Sequence, residues 1–235
     1  MARPLVIVLV LMLGVAGAWG DQAYNDCHQS ADRDLRIRAC TQIIERGEQE
    51  SRINRSIAYY NRGLAHQEKG KVDRAIADFD EAIALNPNDA DAYANRGAFY
   101  GEKGEVDRAI ADYTVAIALN PNHALAYTNR GNAYDKKGEV DRAIADYTKA
   151  IALNPNYATA YVHRGFAYEQ KAQGFQLPNS YSGATDRLGR FAEGFLLRRL
   201  QGEKEQAIAD FRKVLEIDPS NQDAKEGLKR LGVTP

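Results

Sequence analysis

Three consecutive stretches of this chain align with one another without a gap. They are SIAYYNRGLAHQEKGKVDRAIADFDEAIALNPND from Ser56, ADAYANRGAFYGEKGEVDRAIADYTVAIALNPNH from Ala90 and ALAYTNRGNAYDKKGEVDRAIADYTKAIALNPNY from Ala124, each starting 34 residues after the last. A fourth copy opens at Ala158 with ATAYVHRGFAYEQK, and its second half returns as GEKEQAIADFRKVLEIDPSN from Gly202. A period of this length constrains the fold more than composition does. Each copy is one supersecondary unit that buries too little apolar surface alone and must stack on its neighbours.

Within each copy the apolar residues follow a helical period twice. In the third, Tyr127, Gly131 and Tyr134 lie on one face of a first helix, and Ala143, Ile144, Tyr147, Ala150 and Ile151 on one face of a second. Gly138 separates the two helices. Asn154-Pro155 stops the second, because proline cannot continue a helix and restricts the residue before it. Small side chains at Gly131, Ala143 and Ala150 let the paired helices approach closely. The expected fold class is all-α, a right-handed α-solenoid of stacked helix pairs.

These copies resemble the tetratricopeptide repeat, in which position 4 is aromatic, 8 Gly, 11 Tyr, 20 Ala, 24 aromatic, 27 Ala and 32 Pro. The second copy matches at Tyr93, Gly97, Tyr100, Ala109, Tyr113, Ala116 and Pro121. The first has His66 at position 11, and the last carries Ala207, Phe211 and Pro219 with Val214 in place of Ala. Two other positions repeat: position 7 is Arg62, Arg96, Arg130 and Arg164, and position 23 is Asp78, Asp112, Asp146 and Asp210. A basic ladder for an acidic ligand is one reading. A residue present in every copy serves what every copy shares, so the favoured reading is a ladder of internal ion pairs.

The ends differ from the middle. Residues 1–20, MARPLVIVLVLMLGVAGAWG, have Arg3 followed by an apolar run and then small residues, which is the layout of a signal peptide cleaved after Ala18 or Gly20. An uncleaved anchor is the rival reading, but the run falls short of the ~20 residues that span a bilayer. The chain is therefore expected to resemble repeat proteins of the exported bacterial type, periplasmic or secreted, with no stable membrane insertion after cleavage. Export makes a disulfide the expectation for Cys27 and Cys40, the only cysteines. Aligning Thr41 with Thr148 puts Cys40 on Tyr147 and Cys27 on Tyr134, where a repeat packs its two aromatics. Residues 21–55 thus read as a degenerate cap stapled where its aromatic contact is missing. A metal or redox site is the competing use, without CxxC spacing to support it.

Repeats one to three occupy 56–89, 90–123 and 124–157. The fourth, 158–219, is interrupted at about 172–201: the spacing from Gly131 to Gly138 is 7, whereas that from Gly165 to Gly202 is 37. The insert begins with turn-forming residues and continues as RLGRFAEGFLLRRL, in which Leu188, Phe191, Phe195 and Leu196 share a helical face. It reads either as an inserted helix before a helix-breaking Gly202 or as the degenerate first helix of a fifth repeat. Residues 220–235 read as a capping helix.

A net charge of -1 gives no electrostatic basis for nucleic-acid binding. No phosphate-cradling loop, metal-spaced cluster or nucleophile motif is present, so neither an enzyme nor a cofactor is expected. The resemblance implies a protein or peptide partner bound along a concave groove of first-helix positions. Here those are Tyr60, Leu64 and Gln67; Ala94, Asn95 and Ala98; Thr128, Asn129, Asn132 and Asp135; and Val162, His163 and Phe166. Tyr60 and Phe166 occupy no marked core position, so folding is expected to tolerate Ala at both. The clamp by which some relatives grip a chaperone's C-terminal carboxylate would need Lys where Tyr60 stands and Asn where Leu64 stands, and of its residues only Asn95 is present. The alternative to an adaptor is a self-assembling envelope subunit, using the insert or the solenoid ends.

Overall fold

Gly70, Gly104 and Gly138 mark where each first helix stops, all with φ between 67° and 78°. Only glycine adopts this left-handed conformation without cost, and the reversal lets the next backbone N–H bond back into the finished helix. The closing bond recurs in register: Lys71 donates to the His66 carbonyl, Glu105 to Tyr100 and Glu139 to Tyr134, at 2.8–2.9 Å.

The computed structural model describes residues 22–174 and 187–235, with side chains described from 194 onward in the second stretch. The signal-peptide expectation, the loop of the insert and the side chains of Leu188 and Phe191 lie outside these. The described residues are helical: α1 (22–29), α2 (Arg33–Glu45), α3 (Arg52–Glu68), α4 (Val72–Leu85), α5 (Ala90–Glu102), α6 (Val106–Leu119), α7 (Ala124–Lys136), α8 (Val140–Leu153), α9 (Ala158–Gln173), α10 (Arg187–Ile217) and α11 (Gln222–Arg230). A 3-10 turn, Gly47–Gln49, links α2 to α3. No strand occurs among the described residues, and the all-α solenoid class stands. Two units are delineated, one ending at Glu105 and one running from Val106 to Pro235.

In the first unit, α2 packs on α3, α3 on α4 and α4 on α5. Phe79 is fully buried, stacked on Phe99 at 6.0 Å and met edge-on by Tyr60 at 5.7 Å. The N-terminal end of this unit is closed by the Cys27–Cys40 disulfide, with Cα atoms 4.8 Å apart. Both cysteines are buried with Ala23, Ile43 and Ala58, so the staple occupies core space as the repeat alignment anticipated.

The second unit stacks α7 on α6 and α8, and α9 on α8 and α10. Tyr134 and Tyr147 share one core cluster. Gly131 is what admits Tyr147: a Cβ there would lie 2.6 Å from the ring. In the fourth pair Phe211 is covered from both sides, by Gly165 and by Gly227 of α11, where added Cβ atoms would fall 2.8 and 2.5 Å from it. The cap thus meets Phe211 as closely as the first helix does, and it buries Ala224, Leu228 and Leu231.

The interruption resolves differently from either sequence reading. Gly202 does not break a helix, because α10 runs unbroken through it for 31 residues, about 46 Å. The reason is local. The turn glycines follow a first helix directly, whereas α9 has already ended at Gln173, so Gly202 falls inside a helical run and adopts no positive φ. The insert's helix is therefore an N-terminal extension of the fourth repeat's second helix. Phe195 and Leu197 on it are 57% and 50% exposed.

Candidate interaction surfaces

The Arg ladder is the first candidate the geometry disposes of. Arg62, Arg130 and Arg164 each place their guanidinium on both oxygens of the same repeat's Asp78, Asp146 and Asp210, at 2.7–3.2 Å. Each also reaches the preceding repeat's second helix: Arg62 donates to Thr41, Arg130 to Thr114 and Arg164 to Thr148. Arg96 makes the equivalent reach to Asp80. One position-7 arginine thus ties a first helix to two second helices, and the aspartates are buried. The Asp146 hydrogen bonds raise the Arg130 pKa, so the cation is committed to the fold. The signal missed in the sequence was position 25, where Thr41, Asp80, Thr114 and Thr148 supply the third corner.

The expected groove residues divide between the units, and burial sorts them. Ala94, Thr128 and Val162, all at position 5, are buried and offer little to a ligand. Val162 belongs to the core beneath α11, and the Thr128 hydroxyl is turned back onto the Ala124 carbonyl at 3.1 Å. Small and β-branched residues at this position are covered by the neighbouring helices, which the one-dimensional pattern does not register. Ala98 stays partly exposed.

On the first unit, Tyr60 is half-buried against Phe79, and burial, with Asp91 and Asp89 near, pushes its hydroxyl up to about 12. Asn95 spends its amide hydrogens on the Tyr60 hydroxyl, 3.0 Å, and the Asp91 carbonyl, 2.9 Å. Only its carbonyl oxygen is left to accept from a ligand. Leu64 packs beside Tyr60 on the Phe79 cluster, and Gln67 is exposed.

On the second unit, Asn129, Asn132 and Asp135 recur every third residue along α7, so they form a row on one face. The Tyr147 hydroxyl donates to the Asn132 carbonyl oxygen at 2.8 Å, which leaves both Asn132 amide hydrogens to donate outward. Across from them on α9, the His163 ring stacks on Tyr147 at 5.7 Å. Burial lowers the His163 pKa against the pull of Asp135 and Asp223, which keeps the ring neutral near pH 7. Phe166 meets Phe211 edge-on at 5.3 Å, with the Arg230 guanidinium 5.3 Å from its own ring centre. Arg230 is in turn paired with buried Glu169 at 2.8 and 2.9 Å. Tyr60 and Phe166 thus pack on core aromatics, contacts that the expectation of a tolerated Ala at both did not include.

Another surface of the second unit is a groove of about 710 Å³ beside the α10 extension. Leu197, Leu200, Ile208, Leu231 and Val233 give it apolar walls, with the Glu169–Arg230 pair among its polar lining. Among the described residues no helix is long and apolar enough to cross a membrane, and no group of histidine, cysteine and carboxylate side chains could hold a metal.

Models of the tetratricopeptide repeat match residues 56–89, 79–111, 124–157 and 196–221, and a TPR repeat model matches 99–138, together more than half of the chain. The chain is a tetratricopeptide-repeat protein. The match at 196–221 falls within α10 and the turn after it, in agreement with a second helix of the fourth repeat there. Solved structures similar to this repeat protein include the crystal structure of MamA, at TM-score 0.61 and 27% identity over 80% of this chain and 90% of that one. A second structure of MamA protein aligns at 0.62 and 23% identity, covering 93% and 98%. MamA from Desulfovibrio magneticus RS-1 aligns at 0.64 and 20% identity, covering 86% and 95%. The last two, being more distant in sequence, show the fold alone. No curated protein matches the chain. The tetratricopeptide repeats make this chain a protein-interaction module of a generally non-enzymatic kind.

Proposed function

We propose that this chain is an exported, non-catalytic adaptor that captures an extended segment of a protein partner on the inner faces of its first helices. The observation that carries the reading is the α7 row. The arginine ladder is consumed inside the fold, whereas Asn129, Asn132 and Asp135 keep hydrogen-bonding capacity at a partly exposed face. An extended peptide backbone alternates donors and acceptors, and two amides and a carboxylate at three-residue spacing meet both. The layout of residues 1–20 supports action outside the cytoplasm, most simply the periplasm.

Affinity capture from the native envelope tests this with side chains that do not hold the core. Gln67→Ala with Asn129→Ala should lower the yield of a specific partner at least several-fold with helicity unchanged. Equal capture by wild type and variant would sink the reading.

A second reading, self-assembly through α10, is supported by exposed Phe195 and Leu197. Light scattering decides it: a monomer that Phe195→Glu leaves unchanged removes this reading.

A further inference from the structure

Asp135 is the one member of the α7 row whose charge the fold leaves unanswered. Its Oδ1 is buried and has no hydrogen-bond partner, while the residue as a whole remains partly exposed. Among the described residues no arginine or lysine pairs with it; burial pushes its pKa up, and His163 alone pulls the other way. That imidazole is itself held neutral by burial, so it supplies little positive charge. Arg230, the cation over Phe166 on α9, is committed to Glu169. Asp223 of α11 adds a second negative charge acting on His163. Asp78, Asp146 and Asp210 of the ladder, by contrast, each hold an arginine on both oxygens.

A carboxylate that is desolvated and unpaired costs free energy unless something else supplies a cation. Beside it, the Asn132 amide has two hydrogens free to donate, its own oxygen being held by Tyr147. The two side chains are one turn-step apart on the same face, about 4.5 Å along the axis. We infer that Asp135 and Asn132 form a subsite for a lysine or arginine side chain of a peptide partner. Asp135 accepts from the cationic group, and Asn132 donates to a main-chain carbonyl next to it. The inference rests on the groove-binding reading and names the chemistry that one stretch of the groove selects.

The test uses the full chain and four fluorescein-labelled peptides, Ser-Ala-Leu-X-Leu-Ala-Ser, with X arginine, lysine, citrulline or glutamate. Citrulline keeps the shape of arginine and removes its charge. Fluorescence anisotropy should show the arginine and lysine peptides binding at least about ten-fold more tightly than the citrulline one, as one charge-assisted hydrogen bond requires. Asp135→Asn should abolish that preference, and the free D135N protein should melt no lower than wild type, since an unpaired buried charge is gone. The amide resonances of Asn129 and Asn132 should shift with the cationic peptides.

Equal affinity for arginine and citrulline, with those same amides shifting, overturns the cation subsite and leaves the groove reading standing. No binding of any peptide at about 1 mM overturns the inference as well, a concentration at which even weak sites fill. A lower melting temperature for D135N marks Asp135 as structural and has the same consequence. The citrulline comparison needs no variant, so it decides the matter even if D135N fails to fold.

Discussion

Arg164 holds both oxygens of Asp210 at 2.7 and 2.8 Å in the geometry that Arg130 uses on Asp146, although 46 residues separate the first pair and 16 the second. The fourth repeat thus keeps its arginine–aspartate pair across the interruption, and the second half of α10 takes the place a second helix would take. Asp210 is nearly fully buried. Asp210→Ala should therefore destabilise by about 3–5 kcal/mol, because Arg164 is left as an uncompensated charge. Replacing both residues by leucine should cost much less. Urea denaturation of the single and double variants checks this, and equal losses would show that the pair does not act as a unit.

Gly131→Ala should cost about 1–3 kcal/mol, since the added methyl would stand 2.6 Å from the Tyr147 ring. Ala at Gly70 fails for another reason, its φ of +67°, and meets no neighbour. Adding Tyr147→Leu should recover part of the Gly131→Ala loss and none of the Gly70→Ala loss, as read from thermal melts of the two double variants.

Stability should fall as the solution is acidified below about pH 6.5. Burial lowers the pKa of both His66 and His163 in the fold. The unfolded chain takes up protons from its ordinary histidine pKa downward, while the folded chain resists until its own lower values are reached. The contribution is complete above the unfolded value and is lost as pH falls through the window between the two. His66 stands at position 11, its Nδ1 buried without a partner, and its Nε2 3.8 Å from Asp78. His66→Tyr should therefore shrink the difference between urea midpoints at pH 7.5 and pH 5.5. An unchanged difference would clear His66 of the effect.

Cys27 and Cys40 should yield no free thiol when the exported protein is denatured without reductant and labelled. Replacing both by serine should cost about 2–3 kcal/mol, the entropy of a short closed loop. Two labelled thiols per chain would refute the staple.

Removing 220–235 should lower the melting temperature and promote aggregation, because α11 is one of the two covers of Phe211. Intact solubility and melting would show that the last helix is dispensable.

The helix pairs, their turns and the staple were legible in the sequence because each rests on local chemistry repeated at a fixed period. Gly138 ends a helix by its φ, Asn154-Pro155 by a missing donor, and Cys27 and Cys40 fall in register with Tyr134 and Tyr147. A period, however, tells only which residues do equivalent work, and what that work is depends on neighbours from other helices. Val162 and Thr128 read as lining and are covered by packing; Tyr60 and Phe166 read as free aromatics and lean on Phe79 and Phe211. Gly202 matches the turn glycines in type, yet lies within a helix because α9 ends before it. The same holds at the site. Asn95 at position 6 and Asn132 at position 9 are the same residue type on two first helices, but Tyr60 accepts from the first and Tyr147 donates to the second, leaving an acceptor in one place and a donor in the other. The sequence by itself determined the repeating helix pair, since backbone conformation answers to nearby residues. Only the tertiary structure decided which polar atoms remain unspent, since a hydrogen bond is used up by whichever group packing brings within reach.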